Sequence, residues 1–254
     1  MQKQEMMRRI FIFICIYVFV IPAMYGNTEE AENAYMKGDY QKAAALYETA
    51  LEKGVSADLY YNLGNAYYRM NNLGKAVLNY ERAKILAPQD EDININLEIC
   101  RSKITDQPTK PSEMFFVTWM KGIAERYTCD RWGYWGVIAF VLSFVFWGLY
   151  RYGQRMLYRK IGFSCWGLCA LLVIFFNVAA AWNFVKYRND RRYVLMEESP
   201  LYANDRGNSE VLRVLSPGVV LEVIRETTKG WYEVELSNGK VAWLEKGTLE
   251  KITM

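Results

Sequence analysis

The sequence predicts a multidomain membrane protein: α-helical hairpin repeats, then a two-helix transmembrane hairpin, then a small all-β barrel. Three observations predict it. Two runs without a charge, Trp132 to Tyr150 and Ile161 to Val185, are nineteen and twenty-five residues long, and about 20 apolar helical residues cross a hydrocarbon core of roughly 30 Å. Residues 29 to 104 repeat a helical pattern every 33 residues or so. From Tyr193 the pattern changes to period two, punctuated by Ser216-Pro-Gly218, Lys229-Gly230 and Ser237-Asn-Gly239.

The chain opens with Lys3, Arg8 and Arg9 ahead of the uncharged run Ile10 to Ile21, and small residues follow at Ala23 and Gly26. This is the layout of a signal peptide over 1–26. The run is short for a span, which favours cleavage near Ala23 or Gly26. Met24 and Tyr25 make a poor cleavage box and leave a retained anchor as the alternative. Either way the segment after it is exported.

In residues 29–104, Ala43, Tyr47 and Ala50 recur as Ala76, Tyr80 and Ala83. Gly38-Asp39-Tyr40 recurs loosely as Asn71-Asn72-Leu73, and Asn62-Leu63 as Asn96-Leu97. Alanine suits points where helices cross closely, and the aromatic fills the space between pairs. Tyr60, Leu63, Gly64, Tyr67, Ala76, Tyr80, Ala83 and Pro88 resemble the signature of a tetratricopeptide (TPR) repeat, with Tyr for the usual Trp at the first position. The first repeat is weaker, with Ala31 and Ala34 where Gly and Tyr are usual. The third is only a leading helix, about Asp92 to Lys103, with Glu98 replacing the glycine; it reads as a capping helix.

That resemblance implies a concave groove that binds extended peptides. By register its residues are Glu32, Tyr35 and Met36 from the first repeat and Tyr61, Asn65, Tyr68 and Arg69 from the second. Asn65 and Arg69 sit one turn apart, suited to a peptide backbone and a carboxylate. The plainer alternative has Tyr61 and Tyr68 packing at the solvent edge while Arg69 pairs with Glu32 or Asp58.

Pro108 and Pro111 mark 105–112 as a linker. In 113–128, Phe115, Phe116, Trp119, Met120, Ile123 and Tyr127 fall near helical spacing. They predict a helix lying in the membrane interface, the alternative being a helix packed back on the repeats. Spans follow at 132–150 and 161–185. The loop 151–160 carries four cations and no acid, which places it in the cytoplasm and both flanking modules outside. Lys186, Arg188, Arg191 and Arg192 nearly match the loop's charge, but the exported N-terminus already sets the direction of the first span. At a rise of 1.5 Å per residue, Ser143 and Asn177 fall at similar depths. Asn177 is therefore expected to bond across the hairpin to Ser143 or a nearby carbonyl, or else to face another membrane subunit.

Residues 193–252 resemble a bacterial SH3 domain through Val211 to Gly218, Gly230-Trp231-Tyr232-Glu-Val234 and Asn238-Gly239-Lys-Val-Ala-Trp243. Asn238-Gly239 reads as a hairpin turn, and about five strands are expected. Such domains bind peptides or cell-wall fragments. Trp231 and Trp243 read as core, Tyr202 and Tyr232 as ligand-facing surface.

The composition excludes much chemistry. The 254 residues contain no histidine, hence no Ser-His-Asp or Cys-His nucleophile and no His metal site. Cys100 and Cys129 read as unpaired thiols, a disulfide between them being the alternative, and Cys165 and Cys169 as packing residues on one helix face. No catalytic residue, metal ligand or cofactor is indicated. Residues 113–192 hold eleven cations against four acids, whereas 27–104 hold nine against twelve and 193–254 seven against ten. The basic excess sits at the membrane surface and argues for lipid, not nucleic acid. Each module outside the membrane is small, with a modest core of its own expected.

Taken in order, the modules resemble the BatE-type proteins of aerotolerance operons. That resemblance implies a non-enzymatic scaffold on the bacterial inner (cytoplasmic) membrane, with periplasmic TPR and SH3 domains. Its implied partners are von Willebrand A-domain membrane proteins and a MoxR-type ATPase system, with a link to oxidative stress. The alternative is an envelope sensor whose SH3 domain reads peptidoglycan.

Overall fold

A computed structural model describes residues 26–104, 114–205, 209–227, 230–236 and 240–253. The signal peptide up to residue 25, the 105–112 linker and the Asn238-Gly239 turn lie outside the described residues. Five helices come first: α1 (Gly26–Met36), α2 (Tyr40–Lys53), α3 (Ala57–Arg69), α4 (Leu73–Leu86) and α5 (Glu91–Ser102). Then come α6 (Phe115–Ala124), α7 (Cys129–Tyr152) and α8 (Met156–Arg188). Seven strands close the chain: β1 (Arg192–Leu195), β2 (Ser199–Tyr202), β3 (Val211–Leu215), β4 (Val220–Glu226), β5 (Trp231–Glu235), β6 (Val241–Glu245) and β7 (Leu249–Lys251). A helical repeat region, two long apolar helices and an antiparallel sheet domain thus follow one another as the sequence predicts.

The 33-residue recurrence has a local cause. Gly38 and Asn71 each take positive φ, 81° and 58°, and the next residue caps a helix. Asp39 accepts from the Lys42 amide, and Asn72 from the Lys75 amide, each at 3.1 Å. Gly and Asn tolerate the left-handed conformation, and Asp and Asn are strong N-caps, so both loops turn in the same way. The recurring alanines Ala43, Ala76 and Ala83 are fully buried. Tyr80 presses so closely on α3 that a Cβ at Gly64 would stand 2.7 Å from its ring.

Helices α7 and α8 are long and apolar enough to cross a membrane. They pack as an antiparallel pair. A Cβ at Gly162 would meet the Tyr150 amide nitrogen at 2.6 Å, so the backbones approach closely there. The turn is only Gly153 to Arg155, shorter than the ten-residue loop expected, and Arg151, Arg159 and Lys160 ride on helix ends. The expected bond across the pair is not formed. Asn177 Nδ2 donates to Val173 O of its own helix at 2.8 Å, and Ser143 Oγ to Phe140 O at 2.6 Å. Equal depths for Ser143 and Asn177 require both spans to end level. Contacts instead set Gly136 beside Asn177, leaving Ser143 two turns away. Each polar group is satisfied within its own helix.

Helix α6 has no buried residue. It is tied to α8 at its C-terminal end, where Asn183 Nδ2 donates to Ala124 O and Tyr127 O at 2.6 and 3.1 Å. Trp132 Nε1 reaches the same Ala124 carbonyl at 2.8 Å.

The sheet is entirely antiparallel in the order β3-β2-β6-β5-β4-β1-β7. The short terminal strands β1 and β7 account for the excess over the five expected. β5 and β6 pair with Glu235 opposite Val241, flanking the turn that the sequence places at Asn238-Gly239.

Candidate functional site

The leading helices α1, α3 and α5 line a cavity of about 320 Å³. It brings together Tyr35, Tyr61, Asn65, Tyr68 and Arg69 of the residues expected from register. Glu32 and Met36 do not line it; both are exposed on α1, Met36 at 84%. Three lining residues were missed: Tyr80, Asn96 and Ile99. Tyr80 is the packing aromatic of α4, yet its hydroxyl reaches the groove. Asn96 was legible only as the partner of Asn62 in the 34-residue recurrence.

Asn65 is the hub of a hydrogen-bond network. The Tyr80 hydroxyl donates to Asn65 Oδ1 at 2.7 Å, and Asn96 Nδ2 donates to the same oxygen at 3.1 Å. Asn96 Nδ2 also donates to the Tyr61 hydroxyl at 3.1 Å. Burial raises the Tyr80 pKa well above the ordinary phenol value, so its proton stays in place. At the rim, Arg69 Nε donates to the Tyr35 hydroxyl at 3.4 Å, and Lys103 Nζ lies 4.4 Å from the centre of the Tyr68 ring. Neither Glu32 nor Asp58 pairs with Arg69.

The other side of α4 meets the sheet domain. Glu81 is 1% exposed and is held by Arg101 Nη2 at 2.5 Å and by Arg192 Nη1 at 3.0 Å. Arg192 also grips Asp190 at 2.8 Å. Burial alone would lower the Arg192 pKa; the bond to Asp190 and the charge of Glu81 outweigh it and hold the guanidinium above its ordinary value. One residue on, Arg82 donates to the Lys251 and Ile252 carbonyls at 3.0 and 3.2 Å and pairs with Glu250 at 3.0 Å. Gly74 leaves room for the Met196 and Leu195 carbonyls, which a Cβ there would meet at 2.8 and 2.9 Å. Val77 and Leu78 of α4 belong to the same buried cluster as Val194, Leu195 and Val219. The two modules therefore share one core, contrary to the separate modest cores expected.

In the sheet domain Tyr202 stays on the outer face as expected, whereas Tyr232 and the two tryptophans exchange the places expected of them. Tyr232 is buried at 6% exposure, its ring 5.1 Å from that of Tyr193, and burial pushes its pKa up to about 12. The alternation decides this: Tyr232 shares an inward face with Val234, as Ala242 does with Leu244. Trp231 and Trp243 are thereby turned outward and half-buried, Trp231 stacked edge-on with Tyr202 at 5.3 Å. The period-two pattern carried that signal, since Trp231 shares its face with Glu233 and Glu235.

Cys100 and Cys129 are both free, and burial pushes the Cys100 thiol up to about 11. Among the described residues no group of His, Cys, Asp and Glu could hold a metal ion.

Comparison with known proteins agrees at both ends. The family model of the tetratricopeptide repeat matches residues 57–90, and that of the bacterial SH3 domain matches residues 200–250. Tetratricopeptide repeat protein 16 of Homo sapiens is 34% identical over 79 residues, covering 29% of this chain and 9% of that protein. Its Mus musculus counterpart is 32% identical over 79 residues, 29% of this chain and 10% of its own length. The chain thus spans about a tenth of the curated relatives it matches. It carries a tetratricopeptide repeat and a bacterial SH3 domain, joined in sequence by two apolar helices.

Proposed function

We propose that this chain is a non-enzymatic scaffold anchored in the bacterial inner membrane, holding partner proteins at its periplasmic face. The observation that carries the reading is the shared core of the repeats and the SH3 domain. Two modules packed on each other must lie on one side of a membrane, and a two-span hairpin returns the chain to the side it left. The cationic ends at Arg151, Arg155, Arg159 and Lys160 favour the cytoplasm for the turn. The groove stays open on the far side of α4 from the SH3 domain, free to take a partner's peptide. A buried thiol of raised pKa and the absence of histidine favour binding over catalysis. The partners proposed are the von Willebrand A-domain proteins and MoxR-type ATPase system of aerotolerance operons.

Single cysteines at Glu52, Gln154 and Glu210, in a background without native cysteines, test the arrangement. An impermeant maleimide should label 52 and 210 in cells with a permeabilised outer membrane, and 154 only after lysis. The reverse pattern overturns it.

The outward aromatic group of Tyr202, Trp231 and Trp243 favours a second reading, a peptidoglycan-binding SH3 domain. These residues lie on β2, β5 and β6, whereas α4 is met by β1, the turn before β4 at Gly218 and the end of β7. Purified sacculi should then pellet the wild-type protein and release Trp231→Ala; failure to pellet leaves the protein scaffold alone.

A further inference from the structure

We propose that the cleft between the repeats and the Cys129 and Arg188 ends of the two apolar helices binds one zwitterionic phospholipid. Its headgroup sits beside Arg126 and Asp130, and its acyl chains lie along α6 and α8. This rests on the reading of α7 and α8 as a membrane hairpin. The cleft encloses about 1010 Å³, at the upper end of the roughly 300–1,000 Å³ usual for small-ligand sites. Polar ties give it its shape. Asn183 of α8 donates to the Ala124 and Tyr127 carbonyls, and Lys186 pairs with Glu125 at 2.6 Å. The end of α6 and the turn after it are thereby fixed to the end of α8. At one end of the cleft Arg192, just beyond α8, reaches Glu81 of α4. Between these ties the last turn of α4 and the bend before α5 stand across a gap from α6, which has no buried residue of its own.

The lining divides by chemistry. Trp119 and Ile123, one turn apart on α6, line the cleft together with Phe184 and Tyr187 of α8. Trp119, Phe184 and Tyr187 are each about half exposed. An apolar wall where the spans leave the hydrocarbon is covered by acyl chain in a bilayer. The polar lining carries both signs, with Lys84, Arg126 and Lys186 beside Glu125 and Asp130. The Glu81 cluster is already matched within itself. The Lys186–Glu125 pair is half-exposed, so opening it to a headgroup costs little. The Arg126 and Asp130 side chains have no hydrogen-bond or ion-pair partner among the described residues. A purely anionic headgroup would meet the two carboxylates, and a purely cationic one the three cations. A phosphate and an ammonium carried on one headgroup satisfy both.

Native mass spectrometry of the full chain, stripped of lipid in mild detergent and then given one lipid at a time, tests the site. One phosphatidylethanolamine per chain should be retained, phosphatidylglycerol several-fold less, and diacylglycerol not at all. Arg126→Glu should weaken phosphatidylethanolamine at least about tenfold, with the melting temperature unmoved because Arg126 is exposed. Trp119→Ala should weaken it as well. Arg131→Glu makes the same change of charge five residues on but outside the cleft, and should bind as the wild type does. Equal losses in Arg126→Glu and Arg131→Glu, or retention of diacylglycerol, overturn the headgroup site. Phosphatidylglycerol held as tightly as phosphatidylethanolamine overturns the choice of a zwitterion. Carbonate extraction of membranes separates this inference from the anchor on which it rests. A chain that resists extraction yet retains no lipid overturns the lipid site alone, and a chain that is released overturns the anchor as well.

Discussion

Helix α4 shows two unlike surfaces within a single turn. Tyr80 faces the groove, where its hydroxyl joins a neutral amide network that is half-buried and keeps donors to spare. Glu81 and Arg82 face the SH3 domain, where the charges are matched and the backbone carbonyls are taken. The difference teaches what each surface is for. A buried charge is costly unless every partner is in place, so such a cluster tolerates one docking geometry. A neutral amide with an unused donor costs little when hydrated and leaves a place for a ligand.

The sharpest way to break this contrast is Glu81→Ala. It strands Arg101 and Arg192 without their shared carboxylate. Removing one member of a buried pair costs about 3–5 kcal/mol. The lower end applies here, since the Arg192 side chain is 36% exposed against 2% for Glu81. Calorimetry of the wild type should show one transition for array and SH3 domain together, and Glu81→Ala should split it in two. A single unshifted transition would mean that the charges are incidental to the joint.

Gly74→Val attacks the same joint without touching a charge. Its side chain would run into the carbonyls of Leu195 and Met196, and backbone cannot step aside as a side chain can. The cost should be about 1–3 kcal/mol, again with splitting. Peptide affinity should hold, because Gly74 does not line the cavity. Lost affinity with an intact joint would show that the two surfaces are not independent.

Alkali is a milder probe. Burial raises the Cys100 thiol from 9.0 to about 11, and the Tyr47 and Tyr232 phenols from 10.0 to about 12. The folded state therefore holds these protons more tightly than the unfolded chain. Their stabilisation is complete below about pH 9 and is lost as the pH climbs towards 12. Tyr47 belongs to the array and Tyr232 to the SH3 domain, so one core predicts one alkaline transition seen by both tyrosines. Separate ionisation midpoints in ultraviolet titration, each with its own loss of structure, would argue for two cores.

How much of this was legible follows from what repeats. The array could be read because each hairpin solves the same packing problem, so Ala76, Tyr80 and Ala83 echo Ala43, Tyr47 and Ala50. The apolar spans announced themselves by length. The joint could not be read in that way: Glu81 and Arg192 are 111 residues apart and lie on either side of the hairpin. One trace was present. Gly74, Val77, Leu78 and Glu81 fall at helical spacing on α4 beside the repeat's own stripe, and the helix is buried almost all round. A helix covered on two faces needs a second partner. The Tyr232 reversal was legible too, since alternation with Val234 outweighs the usual placement of aromatics.

The smallest effect on stability, and the clearest on function, should come from Arg69→Glu. Arg69 is exposed, and among the described residues it is bonded only to the Tyr35 hydroxyl, at the long distance of 3.4 Å. Its removal leaves no buried group without a partner, so the melting temperature should not move. Reversing its charge, however, puts a carboxylate where a peptide's carboxylate should sit. A charge-assisted bond becomes a repulsion, and affinity for an acidic peptide should fall at least about tenfold. The comparison with Tyr80→Ala isolates the cause, because that change opens a cavity against Gly64 and must lower the melting temperature. If Tyr80→Ala destabilises the array while Arg69→Glu leaves a captured partner bound, the groove is idle. The array would then act as a spacer, and only the charged side of α4 would have a role, as a joint.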